Sequence, residues 1–174
     1  MRKLSYICII LCVFLCGCTG KISIDEQVIA DDVFQEIVVA IKQNDAAALK
    51  KLFSETAKNN SPTLDADIDR FLAIFDKEVS DYYSTGGVNT SNSYDHGKLS
   101  INLKPAYAIV SKGETFYIGM QYYVIDTYDP SNMGIYSLCI IHSSQMPVGY
   151  VYSASIDDNP GITFDSTDYC EKFK

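Results

Sequence analysis

The 174-residue sequence has no tryptophan, only two histidines and five prolines, and fewer basic than acidic residues, 14 against 22. The basic residues form no cluster, so the electrostatic footprint of a nucleic-acid binder or of a polybasic membrane-surface protein is missing. No serine or cysteine carries the flanking residues of a catalytic nucleophile, and Gly113, Gly119 and Gly134 do not form a phosphate-binding turn. Asp65-Ala66-Asp67-Ile68-Asp69 resembles the start of a calcium loop. Arg70, however, stands where that loop needs glycine, and Asp76 rather than Glu would close it. A helix start is the better reading. No cysteine or histidine grouping has metal-site spacing, so neither a metal nor a cofactor is expected. Repeats and low-complexity stretches are absent as well, which favours one domain.

Against these gaps stands one sharp pattern at the N-terminus. Arg2 and Lys3 precede an apolar run over residues 4–15, which ends in Leu15-Cys16-Gly17-Cys18. A positive start and an apolar stretch of roughly a dozen residues have the proportions of a secretory signal. A bilayer-spanning helix needs about 20 apolar residues, so this run is too short to serve as one. The segment resembles a bacterial lipoprotein signal peptide: Leu15 at the third position before Cys18 and small Gly17 before it both fit, while Cys16 departs from the usual Ala, Ser or Thr. The resemblance implies cleavage between Gly17 and Cys18 and lipidation of Cys18. It places the protein at the bacterial cell membrane, on the extracytoplasmic face. Residues 1–17 then form the signal, 18–30 a lipidated tether and 31–174 the domain.

Cleavage would remove Arg2 and Lys3 but no acid, so the mature chain is more acidic than the net charge of −8 of the whole sequence. The acyl chains, not electrostatics, would hold it to the membrane, since one chain binds marginally and two bind stably. Of the six cysteines, Cys8, Cys12 and Cys16 leave with the signal and Cys18 carries the lipid. Cys139 and Cys170 remain, and outside the cytoplasm they could form a disulfide or persist as two thiols.

Along the mature chain, Asp31 and Asp32 favour a helix start through the helix dipole. Val33, Phe34, Ile37, Val38 and Ile41 share one helical face. Asn44-Asp45 breaks that helix and can cap a shorter one carrying Leu49, Leu52 and Phe53. Asn59-Asn60-Ser61-Pro62 reads as a loop. Asp65 and Asp67 open a third helix, with the stripe Ile68, Phe71, Leu72, Phe75, Val79 and Tyr82. Residues 84–97 read as a long polar loop or a frayed edge strand. From Leu99 the period becomes two. Ile101, Leu103, Tyr107 and Ile109 make one strand, in which Pro105 implies an edge position or a bulge. Lys112-Gly113-Glu114 turns into a long strand over 115–128, Asp129-Pro130-Ser131-Asn132 turns into another over 133–142, and a last strand spans 148–156, closed by residues 157–161.

Helices followed by antiparallel strands make an α+β domain. The helix Val33-Phe34-Gln35-Glu36-Ile37-Val38-Val39-Ala40-Ile41, then Asn44-Asp45, Leu52-Phe53-Ser54, Asp67-Ile68-Asp69-Arg70-Phe71 and the hairpin with Asp126-Thr127 and Gly134-Ile135-Tyr136 resemble bacterial lipoproteins of unknown function with a nuclear transport factor 2-like domain. That resemblance implies N-terminal helices packed on a strongly curved antiparallel sheet, a cone with a cavity. Such a superfold hosts enzymes, binding modules and assembly domains, so the fold alone does not assign a role.

Thirteen tyrosines, mostly in the strand half, suit a cavity wall, a wet interface or a half-buried sheet. Tyr122, Asp126 and Tyr128 share a face by strict alternation and are the candidate cavity or ligand residues, while Tyr123 faces the other way. Ketosteroid-isomerase-like relatives of the fold use an Asp base beside Tyr. Asp126, three residues before Asp129-Pro130, also fits a turn cap. His96 and His142 read as structural or solvated. Two functions follow. The first is a non-catalytic binding or assembly module with a small ligand, a protein partner or a second copy docked through the sheet. The alternative is an isomerase- or cyclase-like enzyme acting on a small molecule in the cone.

Overall fold

The computed structural model describes residues 25–146 and 159–164. The expected lipidation site Cys18, the strand expected over 148–156 and Cys170 lie outside these residues. Helices α1 (Glu26–Gln43), α2 (Ala46–Leu52), α3 (Glu55–Asn60) and α4 (Leu64–Phe75) come first. Strands β1 (Asp81–Ser84), β2 (Asn89–Asp95), β3 (Lys98–Lys104), β4 (Ala106–Ser111), β5 (Glu114–Asp126), β6 (Gly134–His142) and β7 (Gly161–Phe164) follow. Among the described residues the fold is α+β, with a mixed rather than purely antiparallel seven-stranded sheet, because β7 pairs with β6 in parallel.

Helix α1 begins five residues ahead of Asp31. Asp25 is its cap and accepts from Val28 N at 3.2 Å, so residues 26–30 belong to the helix and not to the tether. Asn44, in the left-handed conformation, ends α1, and Asp45 caps α2 by accepting from Ala48 N at 2.8 Å. Ser54 caps α3, a short helix that absorbs Asn59 and Asn60 and leaves only Ser61-Pro62-Thr63 as the connection. Helix α4 ends at Phe75, so Val79 and Tyr82 fall beyond it, Tyr82 on strand β1.

Pro105 interrupts what is otherwise one arm of a long hairpin. The register Leu103↔Tyr122 and Ala106↔Gly119 runs unbroken across it, and Met120 N donates to the Pro105 carbonyl at 3.1 Å. Proline cannot return the reciprocal bond, so the arm divides into β3 and β4. It lies inside the sheet, not at its edge: β1 flanks β4 and β2 flanks β3, each opposite β5. Lys112 and Gly113 both take positive φ, 53° and 80°, which makes the tight turn into β5. The polar stretch after Tyr83 holds an exposed edge strand, β2, rather than a loop.

All four helices cover one face of the sheet. Phe34, Ile37, Ile41, Leu49, Phe71 and Phe75 interlock there with Ile109, Ile118, Met120, Leu138 and Ile162. Burying a side chain of this kind contributes about 1.5–3 kcal/mol. On the other face Ala106, Cys139 and Ile141 form a second buried cluster, with Tyr117 and Met146 against it.

Candidate functional site

Two open recesses flank the exposed side of α1. The first, of about 450 Å³, lies between α1 and α2 and is lined by Asp32, Glu36, Val39, Ala48 and Leu52. The second, of about 400 Å³, lies between α1 and β5 and is lined by Val33, Glu36, Lys51, Leu52, Tyr122 and Met133 among others. Glu36 and Leu52 belong to both, so the two recesses meet at a carboxylate beside an aliphatic wall. Val39 and Met133 stay 43% and 49% exposed, leaving apolar surface open to an occupant.

The sequence builds this surface simply. The core-facing stripe of α1 takes Phe34, Ile37, Val38 and Ile41 inward. At 100° per residue that turns Asp32, Glu36 and Val39 outward onto a neighbouring face. Helix α2 is held against α1 by the Asn44-Asp45 double cap, which sets Leu52 beside Glu36. Tyr122 reaches the same place from the helix-facing side of β5, packed against the main core. Burial pushes its phenol above the usual tyrosine range, and the nearby Glu36 carboxylate raises it further.

Of the three residues expected to converge, only Tyr122 is here. Strand β5 carries a bulge: Tyr123 pairs with Asn102 but Ile125 with Ile101, so Val124 is an extra residue. The extra residue shifts the alternation by one, and Asp126, opposite Ser100, no longer shares the face of Tyr122. Asp126 is a turn cap. It is buried and accepts from Tyr128 N at 3.0 Å, Asp129 N at 3.1 Å and Asn132 Nδ2 at 3.0 Å. Tyr128 stands on the surface, under Lys98 and donating to the Asp95 carbonyl at 3.4 Å.

The other sequence candidates have structural partners. His142 caps a 3-10 turn, its Nδ1 2.6 Å from Ser144 Oγ and its ring edge-on to Phe116. His96 is exposed beside Asp95. Asp65 and Asp67 lie in the first turn of α4, Asp65 paired with Lys50 and Asp67 accepting from Thr63 Oγ1 at 2.6 Å. Cys139 is buried on the outer sheet face.

A third recess, of about 300 Å³, opens on the other flank of α1, against β1 and β4. Asp31, Phe34, Tyr82, Ser84 and Tyr107 line it. Neither this recess nor the central position of Glu36 was evident from the sequence. One signal was available: Val28 and Val39 are apolar residues lying off the buried stripe of α1, and both are exposed.

Four helices on one face of a mixed sheet, with open recesses around the first helix, define an α+β domain whose accessible chemistry gathers along α1. The chain belongs to the family described as a domain of unknown function, DUF5104, whose model matches residues 36–143. The match takes in Glu36, Leu52, Tyr122 and Met133 and begins after Asp31 and Phe34. No curated protein matches the chain.

Proposed function

We propose that the protein is a membrane-anchored, extracytoplasmic lipoprotein whose domain is a non-catalytic binding module, with the joined recesses along α1 as its ligand site. The observation that carries this reading is the sharing of Glu36 and Leu52 by two open recesses, which combines exposed apolar walls with one central carboxylate. Pockets of a few hundred Å³ with mainly apolar walls and a few placed polar groups are the usual form of a small-molecule site. The ligand that fits has an elongated apolar body and a polar or cationic group opposite Glu36.

The residues around Cys18 support the anchor. Among the described residues no helix is long and apolar enough to cross a membrane. Between Cys18 and the Asp25 cap the chain reaches at most about 25 Å when extended, so a lipid on Cys18 keeps α1 near the bilayer surface. Helices confined to one face of a sheet bulged along β5 also support the nuclear transport factor 2-like relationship. The isomerase or cyclase reading is weaker, because its base, Asp126, is committed to three hydrogen bonds in a turn outside the recesses. Docking of a second copy through the outer sheet face is likewise not favoured, since Ala106, Ala108, Cys139 and Ile141 are already buried within one chain.

Two measurements test the reading. A neutral apolar dye, N-phenyl-1-naphthylamine, should brighten on binding the wild-type chain and lose most of that signal with Leu52→Arg or Val39→Asp. Equal signals from all three chains overturn the ligand site. Cys18→Ala should release the folded protein from the membrane fraction; a variant that stays membrane-bound overturns the anchor.

A further inference from the structure

The recess between α1 and β5 differs from its neighbour in carrying charges of both signs. Glu36 lines it from α1 and Lys51 from the last turn of α2. Both side chains are exposed, and neither forms an ion pair among the described residues, whereas the adjacent Lys50 is drawn away to Asp65. Tyr122 stands close enough to Glu36 for that carboxylate to help hold the phenol's proton, yet its hydroxyl makes no hydrogen bond among the described residues. Val33, Leu52 and Met133 supply apolar wall around a space of about 400 Å³.

A ligand with a single charge fits this lining badly. A lone ammonium is attracted by Glu36 and repelled by Lys51, and a lone carboxylate meets the reverse, so the two responses oppose each other. A ligand that carries both signs is attracted twice. Specificity of this kind comes from the repulsion as much as from the attraction, because each singly charged competitor is held off by the group it fails to satisfy. The free Tyr122 hydroxyl adds a donor for an anionic oxygen. The apolar wall favours a ligand whose charges sit beside an aliphatic chain. We propose that this recess binds a zwitterionic amino acid with an aliphatic side chain. Its ammonium lies beside Glu36, its carboxylate turns toward Lys51 with the Tyr122 hydroxyl as a further donor, and its side chain rests against Val33, Leu52 and Met133. The proposal rests on the ligand-site reading above and narrows it to one class of compound.

The full mature chain, held in maltoside micelles, is titrated by calorimetry with L-leucine, isoamylamine, isocaproate and glycine. Isoamylamine and isocaproate each keep the aliphatic chain and one charge, and glycine keeps both charges without the chain. Leucine should bind at least about tenfold more tightly than each of the others, a difference of about 1.4 kcal/mol. Lys51→Gln should weaken leucine by a similar factor and tighten isoamylamine. Glu36→Gln should weaken leucine and tighten isocaproate. A merely structural change would instead weaken all the ligands together. Both residues are exposed, so circular dichroism should show both variants folded. N-phenyl-1-naphthylamine separates this proposal from the reading it rests on. Dye binding without a preference for leucine over the singly charged compounds overturns the amino-acid assignment alone, while silence of both dye and leucine overturns the ligand site with it. Tighter binding of glycerophosphoethanolamine than of leucine would overturn the assignment in favour of a lipid headgroup, and leucine affinity unchanged in both variants would overturn it outright.

Discussion

A methyl group placed on Gly134 would lie 2.9 Å from the Leu52 carbonyl oxygen and 3.1 Å from Ser54 N. This close approach lets the end of α2 dock on β6, where Ser54 N donates to the Ile135 carbonyl at 2.9 Å and Phe53 bridges Ile135. Gly134 also holds φ at 112°, a conformation that L side chains rarely adopt. Both the strain and the contact are with backbone, which cannot swing away. Gly134→Ala should therefore cost about 3 kcal/mol, the upper end of what such a backbone position costs. Gly161→Ala should cost a similar amount, because φ there is 109° and the new methyl would lie 2.9 Å from Ser61 Cβ, which rotation of that side chain does not move. Gly113→Ala, in open space, should cost about 1 kcal/mol. Urea denaturation of the three variants checks the order.

The phenol of Tyr107 is held well above the usual tyrosine range, by burial first, then by its hydrogen bond to Asp31 and by that residue's charge. In the unfolded chain it ionises near pH 10; in the folded chain it keeps its proton. The unfolded state therefore binds fewer protons above that point, and stability falls as pH rises. The contribution is intact below about pH 10 and is lost progressively above it as the pH climbs toward the folded value. Tyr107→Phe should lower stability at pH 8 by about 1–2 kcal/mol through the lost hydrogen bond. It should also flatten the decline between pH 9 and 11. Urea midpoints of both chains across that range decide it, and parallel declines would be the contrary result.

Asp45 caps α2 and follows the left-handed Asn44, so one side chain sets the angle at which Leu52 meets Glu36. Asp45→Ala should cost about 1 kcal/mol, the usual loss for a removed N-cap. It should also weaken dye binding along α1, since the wall formed by α2 loosens before the domain unfolds. Asp45→Asn should keep most of both. Thermal melts and dye titrations of the two variants check this.

How far this arrangement was legible depended on how local its cause is. The Asn44-Asp45 break, the helical stripes as far as Phe75 and the Lys112-Gly113 turn are set by neighbouring residues, and they stand where the sequence places them. Helix α3 escaped because Asn59 and Asn60 are turn formers by preference, and Ser54, its cap, lies beside Phe53, which is bridged to the distant Ile135. Strand β2 is polar on both faces because it is an edge, where polar residues resist further pairing. The bulge at Val124 has no sequence mark, and with it the alternation that joined Tyr122 to Asp126 fails. The sites along α1 depend on residues far apart in the chain. Asp31 with Tyr107, and Glu36 with Tyr122, are ordinary residues until the fold brings them together.

Tyr122 and Asp126 can be separated by experiment, because one lines a recess and the other holds a turn. Asp126 is buried with three donors aimed at it: Tyr128 N, Asp129 N and Asn132 Nδ2. Asp126→Ala leaves those donors unsatisfied and should cost about 2–3 kcal/mol, at the high end for a lost acceptor in a buried site. Thr56 contacts Ser131 and Asn132 across the same turn, each at 2.8 Å, so the loss reaches α3 as well. Binding of the apolar dye to the folded fraction should be unchanged, because Asp126 does not line the recesses. Tyr122→Ala should behave differently: it removes wall from the recess beside Glu36, and dye affinity should fall several-fold. Stability and binding would thus move independently in the two variants. Loss of dye binding in folded Asp126→Ala would instead place that carboxylate in the ligand's surroundings and revive the acid–base reading.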